Sequence, residues 1–147
     1  MKILVDADAL PGLIKDILFR AAERTQLPLI LFANRAQKIP VSSYISCVVV
    51  TDGFNSADDK IVETTEAGDL VITADIPLAA RVYEKNGTVI SPRGKVYTSS
   101  SIRFALAQRN FFQELRNSGV VTDGPPVFTQ KDSRLFANAL NQFLSKK

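Results

Sequence analysis

The chain has 147 residues, 46% of them apolar, and a formal net charge of +3, which is material for one domain with a full core and excludes a disordered chain. It has no histidine and one cysteine, so intrachain disulfides, Ser-His-Asp and Cys-His catalysis and histidine zinc sites are all excluded. No apolar run approaches the ~18 residues of a membrane span, and Met1-Lys2 leads directly into a strand-like run, so a cytoplasmic protein without a membrane partner is expected.

"KILVD" predicts a short buried strand, and "PGLIKDILFRAAERT" a helix with Leu13, Ile14, Ile17 and Leu18 on its apolar side. "PLILFA" and "ISCVVV" are continuous apolar runs of the kind found in a parallel sheet covered on both faces. Cys47, inside the second run, reads as a small buried hydrophobe. The polar stretch "NRAQKIPVSS" connects them. Next come a helix over "SADDKIVETTEAGD", a strand over "LVITAD", a helix over "IPLAARVYEKNG" and a last strand over "TVIS". Beyond Pro92-Arg93-Gly94 the pattern turns helical. "SIRFALAQRNFFQELRNSG" predicts a long helix ending at Gly119, "VVTDGPPVFTQ" a loop, and "KDSRLFANALNQFLSK" a closing helix. The phenylalanines, mostly at helical spacing, read as core rather than as stacking platforms.

Strands alternating with helices imply an α/β fold: a three-layer sandwich with a mainly parallel, Rossmann-like sheet and a helical C-terminal appendage. The whole chain, 1–147, is one domain, with an α/β core over 1–92 and a basic helical extension over 93–147. In such sheets ligands sit outside the carboxyl ends of the strands where strand order reverses. For an order 3-2-1-4-5 the first and fourth strands are neighbours there, which brings Asp6 and Asp75 together.

Each acid near that edge has an ordinary explanation. Asp8 can cap the first helix, with Pro11 in its first turn. Asp75 can cap "IPLAAR" in the same way. Ser56 with Asp59 resembles a capping box, and Asp58 suits a positive first turn. Asp6 resists this treatment, because it ends an apolar strand away from any helix start and would be poorly solvated. The conjunction changes the reading. Asp6, Asp8, Asp58, Asp59 and Asp75 all follow strands of one parallel sheet and so share one edge, where they would have raised pKa values unless a cation neutralised them. Magnesium or manganese (Mg2+ or Mn2+) is the hard, oxygen-seeking ion that suits this donor set. Asp6, Asp8, Asp58 and Asp75 are the candidate catalytic residues, and Asp59 joins them as a candidate metal ligand.

Charge is unevenly placed. Residues 1–90 carry nine Lys/Arg against twelve Asp/Glu, and residues 91–147 nine against three. An acidic centre beside a basic flank fits a polyanion held over metal-binding carboxylates, although a solvated basic surface has the same composition. Arg93 and Lys95, in the loop after the fifth strand, with Arg103 and Arg109 on the long helix, are the candidate phosphate contacts. Arg109 shares its helical side with Ile102, Ala105, Leu106 and Phe112, so it either pairs with an acid or faces a phosphate.

The segments "VDADALP", "GFNSADDKIVE", "GDLVITADIPLAARV", "NGTVISPRGKVYTSSSI" and "FALAQRNFFQELRNSGVVTDGPPVF" resemble, in this order and over nearly the whole chain, the YaiI/YqxD family of uncharacterised bacterial proteins. That family is similar to the PIN-like superfamily, whose better-known members are metal-dependent nucleases with clustered acids on a parallel α/β sheet. The resemblance implies a PIN-like fold, and maps the family's aspartates onto Asp6, Asp8, Asp58 and Asp75. Three positions depart from the family pattern. Leu10 stands where the family has cysteine, Asn55 stands where it has aspartate, removing one charge beside the proposed metal, and Ser101 stands where it often has asparagine.

The expected function is metal-dependent phosphodiester hydrolysis of RNA or DNA. Two alternatives stay open. One is a phosphatase of the haloacid dehalogenase kind, since "ILVDADAL" approximates strand-D-x-D, although Leu10 sits where Thr or Val is expected there. The other is a non-catalytic nucleic-acid or protein-binding module on the same fold. Oligomeric state is not readable.

Overall fold

Along a strand, successive side chains face opposite sides of the sheet. The first apolar run shows both sides in use: Ile3 and Val5 point into one core, and Leu4 into another. A computed structural model of the chain describes residues 1–8, 10–51, 56–120 and 127–146. In chain order its elements are β1 (Ile3–Asp6), α1 (Gly12–Thr25), β2 (Leu29–Ala33), β3 (Ile45–Val49), α2 (Ser56–Thr64), β4 (Leu70–Ile72), α3 (Ile76–Glu84), β5 (Thr88–Ile90), α4 (Ser99–Asn117) and α5 (Gln130–Ser145).

The sheet order is β3-β2-β1-β4-β5, with every neighbouring pair parallel. Val5 of β1 lies opposite Leu31 on one side and Ile72 on the other. One sheet face packs on α1 through Ile14, Leu18, Ala21 and Ala22, and on α5 through Phe136, Leu140 and Leu144. The other packs on Ile61 of α2, Leu78, Ala79 and Val82 of α3, and Ile102 of α4. Three layers result, as the α/β alternation predicts. The C-terminal region adds a helix to each outer layer. Gly94 permits the close approach of the turn after β5 to α5: its φ is +86°, and a Cβ there would lie 2.5 Å from the Leu135 carbonyl carbon.

Three expectations need correction. The buried stripe of α1 is Ile14, Leu18, Ala21 and Ala22, and Leu13, one residue off that stripe, is 50% exposed. The run containing β3 is not covered on both faces. It is an edge strand reached from β2 without a helical crossover, so only Ile45 is fully buried and Cys47 is half-buried. The aromatic residues of α4 are not core either: Phe104, Phe111 and Phe112 are 66%, 57% and 45% exposed. Phe104 lies off the stripe of Ile102, Ala105 and Leu106 that packs on α3, and for Phe111 and Phe112 the cause is length. At 1.5 Å per residue the nineteen residues of α4 span about 28 Å, and the nine of α3, on which it packs, about 13 Å. Among the described residues, no helix is long and apolar enough to cross a membrane.

Candidate active site

Because all five strands are parallel, their carboxyl ends share one edge, and strand order reverses between β1 and β4 at its centre. Asp6 ends β1 there, half-buried. Thr73 follows β4 and is almost fully buried. Its hydroxyl donates to Asp6 Oδ2 at 2.9 Å and accepts the Asp75 backbone N–H at 3.0 Å. Asp75 is the N-cap of α3, as its sequence context predicts, its Oδ1 accepting the Leu78 N–H at 3.0 Å. Asp58, in the first turn of α2, completes the group.

These acids act on one another's ionisation. The Asp58 carboxyl is pushed up to about 6, first by burial, then by the negative charges of Asp75 and Asp6 and a hydrogen bond with Asp75, against a partial offset from Arg81. Asp6 is also raised, first by burial; the Thr73 hydrogen bond opposes this, and the charges of Asp75 and Asp8 add to it. Like charges and desolvation both disfavour the ionised form, and a bound cation is the ordinary way to relieve them.

The remaining predicted acids are placed differently. Asp8 does not cap α1. Pro11 occupies that position without a side-chain cap, and the Asp8 carboxylate accepts the Asn34 N–H at 2.8 Å, tying the loop after β1 to the loop after β2. Asp59 turns away into an exposed ion pair with Arg81 at 2.9 Å. The described part of α2 begins at Ser56, so its capping position, 55, and the Asn55 departure lie outside the described residues. Among the described residues, no three acidic or sulfur side chains are arranged to hold a metal by themselves.

The basic candidates divide. Arg93 and Lys95 do lie on the turn that leaves this edge after β5. Arg93 pairs with Asp132 of α5 at 3.0 Å and lies over the Phe128 ring, and the Lys95 amine lies over the Tyr97 ring. Arg103 lines a shallow cavity with Tyr83 and Glu84 at the far end of α3, about 12 Å along the helix from Asp75. Arg109 is exposed and bonds the neighbouring Asn110 side chain at 3.3 Å, so the expected pairing with an acid is not found. Ser101 has a structural role, since it forms the capping box of α4 with Thr98.

Sequence reasoning missed Thr73, which links Asp6 to Asp75, and the cations Arg35 and Lys38 that follow β2 at the same edge. Lys15 joins them, bonded to the Gln37 side chain. The available signal was position: each of Thr73, Asn34 and Arg35 stands one or two residues past a strand end.

A sequence profile described as "Uncharacterized BCR, YaiI/YqxD family" matches residues 4–146. Among curated proteins, the chain is 54% identical to a UPF0178 protein of Alkalilimnicola ehrlichii, over 99% of this chain and 98% of the relative. It is 51% identical to a UPF0178 protein of Dechloromonas aromatica over 99% and 97%, and 51% identical to one of Syntrophotalea carbinolica over 99% of both. No solved structure matches it significantly.

Proposed function

The chain belongs to the YaiI/YqxD family of uncharacterised bacterial proteins, and from that premise we propose that it is a metal-dependent hydrolase of phosphodiester bonds in RNA or DNA, with a PIN-like site. The observation that carries this reading is the group Asp6, Asp58 and Asp75. These acids come from three elements, meet at the strand-order reversal, and raise two of their own pKa values.

The donor set fits Mg2+ or Mn2+. All the groups are hard oxygens, and magnesium is commonly held by one or two carboxylates, keeping its other positions for water and substrate phosphate. Asp6 and Asp75 would hold the ion. Thr73 uses one oxygen of Asp6, which leaves its other oxygen to a ligand, and Asp75 accepts from Leu78 and is hydrogen-bonded with Asp58 as well. Such an ion activates water and stabilises charge on phosphoryl oxygens.

The chain's own residues supply orientation and proton transfer. Thr73 fixes the Asp6 carboxylate and, through the Asp75 N–H, the start of α3. Asp58, beside Asp6 and Asp75, can accept a proton at its carboxylate. Asp8 holds the β1 and β2 loops together.

The test is cleavage of end-labelled single-stranded RNA and DNA with and without manganese, comparing wild type with Asp6→Asn. The expected result is metal-dependent cutting that falls by about 100-fold or more in the variant, a loss of ~3 kcal/mol in transition-state stabilisation. Folded wild type that cuts neither pool, while a control nuclease digests both, would overturn the reading.

A further inference from the structure

α4 begins at the amino side of the sheet. After β5 the chain reverses, with the Ser91 N–H donating to the Lys95 carbonyl at 2.9 Å and Val96 bridging Ile90 antiparallel. It reaches Tyr97, whose carbonyl accepts the hydroxyl of Tyr83 from the end of α3. From there α4 runs back antiparallel to α3, and Ile102 and Leu106 line one cavity with Tyr83 and Ala80. Asp75 lies five residues before Ala80, about 7 Å along α3, so the same rise from Leu106 brings Phe111 level with the acidic edge. The C-terminal half of α4 therefore stands beside and beyond the candidate site.

Among the described residues that half is largely exposed, and it has an unusual composition. Phe111 and Phe112 are exposed and contact each other edge to face, with centroids 5.7 Å apart. Arg109 and Arg116 lie on the side of the helix that carries Ile102, and Arg116 is braced by Gln113 at 2.9 Å. α4 carries three arginines against one acid, Glu114. A second copy packed on this face would bring like charges together, whereas a polyanion would be complementary.

We propose that the C-terminal half of α4 binds single-stranded nucleic acid, with a base stacked on Phe112, which lies one helical turn from each arginine, and phosphates met by Arg109 and Arg116. An exposed ring between two cations suits an unpaired strand, because every base offers a face to an aromatic ring and a duplex hides those faces. The placement names the form of the substrate in the hydrolase reading and rests on that reading for its function: a strand lying along α4 leads to the acids.

Fluorescence anisotropy in EDTA tests it, using labelled oligouridylate, oligothymidylate and a DNA duplex of equal length. Wild type is expected to bind the single strands more tightly than the duplex. Phe112→Ala and Phe112→Leu, at an exposed position and so compatible with folding, should each weaken binding, the alanine about tenfold or more. Arg109→Gln should lower the slope of log affinity against log salt by about 0.7. The proposal is overturned by no strand binding, by equal duplex affinity, by aromatic variants that bind like wild type, or by a wild-type dimer that those variants dissociate. The two readings fail separately. Strand binding without cleavage in manganese removes the hydrolase and keeps the surface, and cleavage with unaffected aromatic variants does the reverse.

Discussion

The two edges of the sheet bury acids in opposite ways. At the amino edge Asp69 is 3% exposed, more deeply covered than Asp6 at the carboxyl edge. Burial alone would push its carboxyl up. Hydrogen bonds from the Lys2 amine and from the Glu66 and Lys2 backbone N–H groups, with the Lys2 charge, outweigh burial and hold it below the ordinary range. The Lys2 amine lies 2.6 Å from Asp69 and 2.8 Å from Glu66. At the carboxyl edge the nearest groups to Asp6 are a neutral hydroxyl and further carboxylates, and the balance goes the other way. A fold that can satisfy a buried aspartate at one edge leaves three together at the other. That contrast separates acids that serve stability from acids assembled for a ligand.

The largest stability effect should come from the amino edge. Asp69→Asn leaves Lys2 without its closest counter-charge in a mostly covered position, and should cost about 3 kcal/mol in urea unfolding at pH 7. Because the Asp69 pKa is depressed in the folded state, its contribution is present above about pH 4 and lost as pH falls through the depressed value. A cost below about 0.5 kcal/mol would erase the distinction between the edges.

Manganese should act only at the other edge. At ten times its dissociation constant it should stabilise the protein by about 1.4 kcal/mol at pH 7.5, and by less at pH 5, where Asp58 holds its proton. Thermal unfolding checks this. A shift unchanged in Asp6→Asn would place the ion elsewhere.

A smaller effect of opposite sign is expected from Asp58→Asn. The Asp58 pKa of about 6 is raised above its unfolded value, so between about pH 4 and 6 the folded chain holds a proton that the unfolded chain has lost, and stability falls as pH rises through that window. After allowance for partial exposure the penalty at pH 7 is about 1 kcal/mol. Asp58→Asn should recover it and flatten the profile of unfolding midpoint against pH over this window. Arg81→Ala, which removes the exposed partner of Asp59 and a weak offset to Asp58, should change stability by less than about 0.5 kcal/mol. A larger loss would show that Arg81 restrains the three-acid group itself.

Several parts of this were legible before any coordinates. The continuous apolar runs of β1, β2 and β4 record burial on both faces, and parallel strands must end at one edge, so Asp6 and Asp75 could be brought together from order alone. The cap at Asp75 was legible because its donors are local. The role of Asp8 was not, since its partner, the Asn34 N–H, is twenty-six residues away across a loop. Thr73 was hidden by looking like one more β-branched strand residue.

What the amino-acid sequence determined by itself is what depends on neighbours within a few positions: apolar periodicity, strand-helix alternation, the cap of α3, and the exclusion of imidazole and disulfide chemistry. Tertiary structure alone decided which acids share a neighbourhood and which are neutralised, which phenylalanines are covered, and where α4 runs past α3. Desolvation and Coulomb interaction depend on distances in space, and residues 6, 58 and 75 acquire theirs only when the sheet closes.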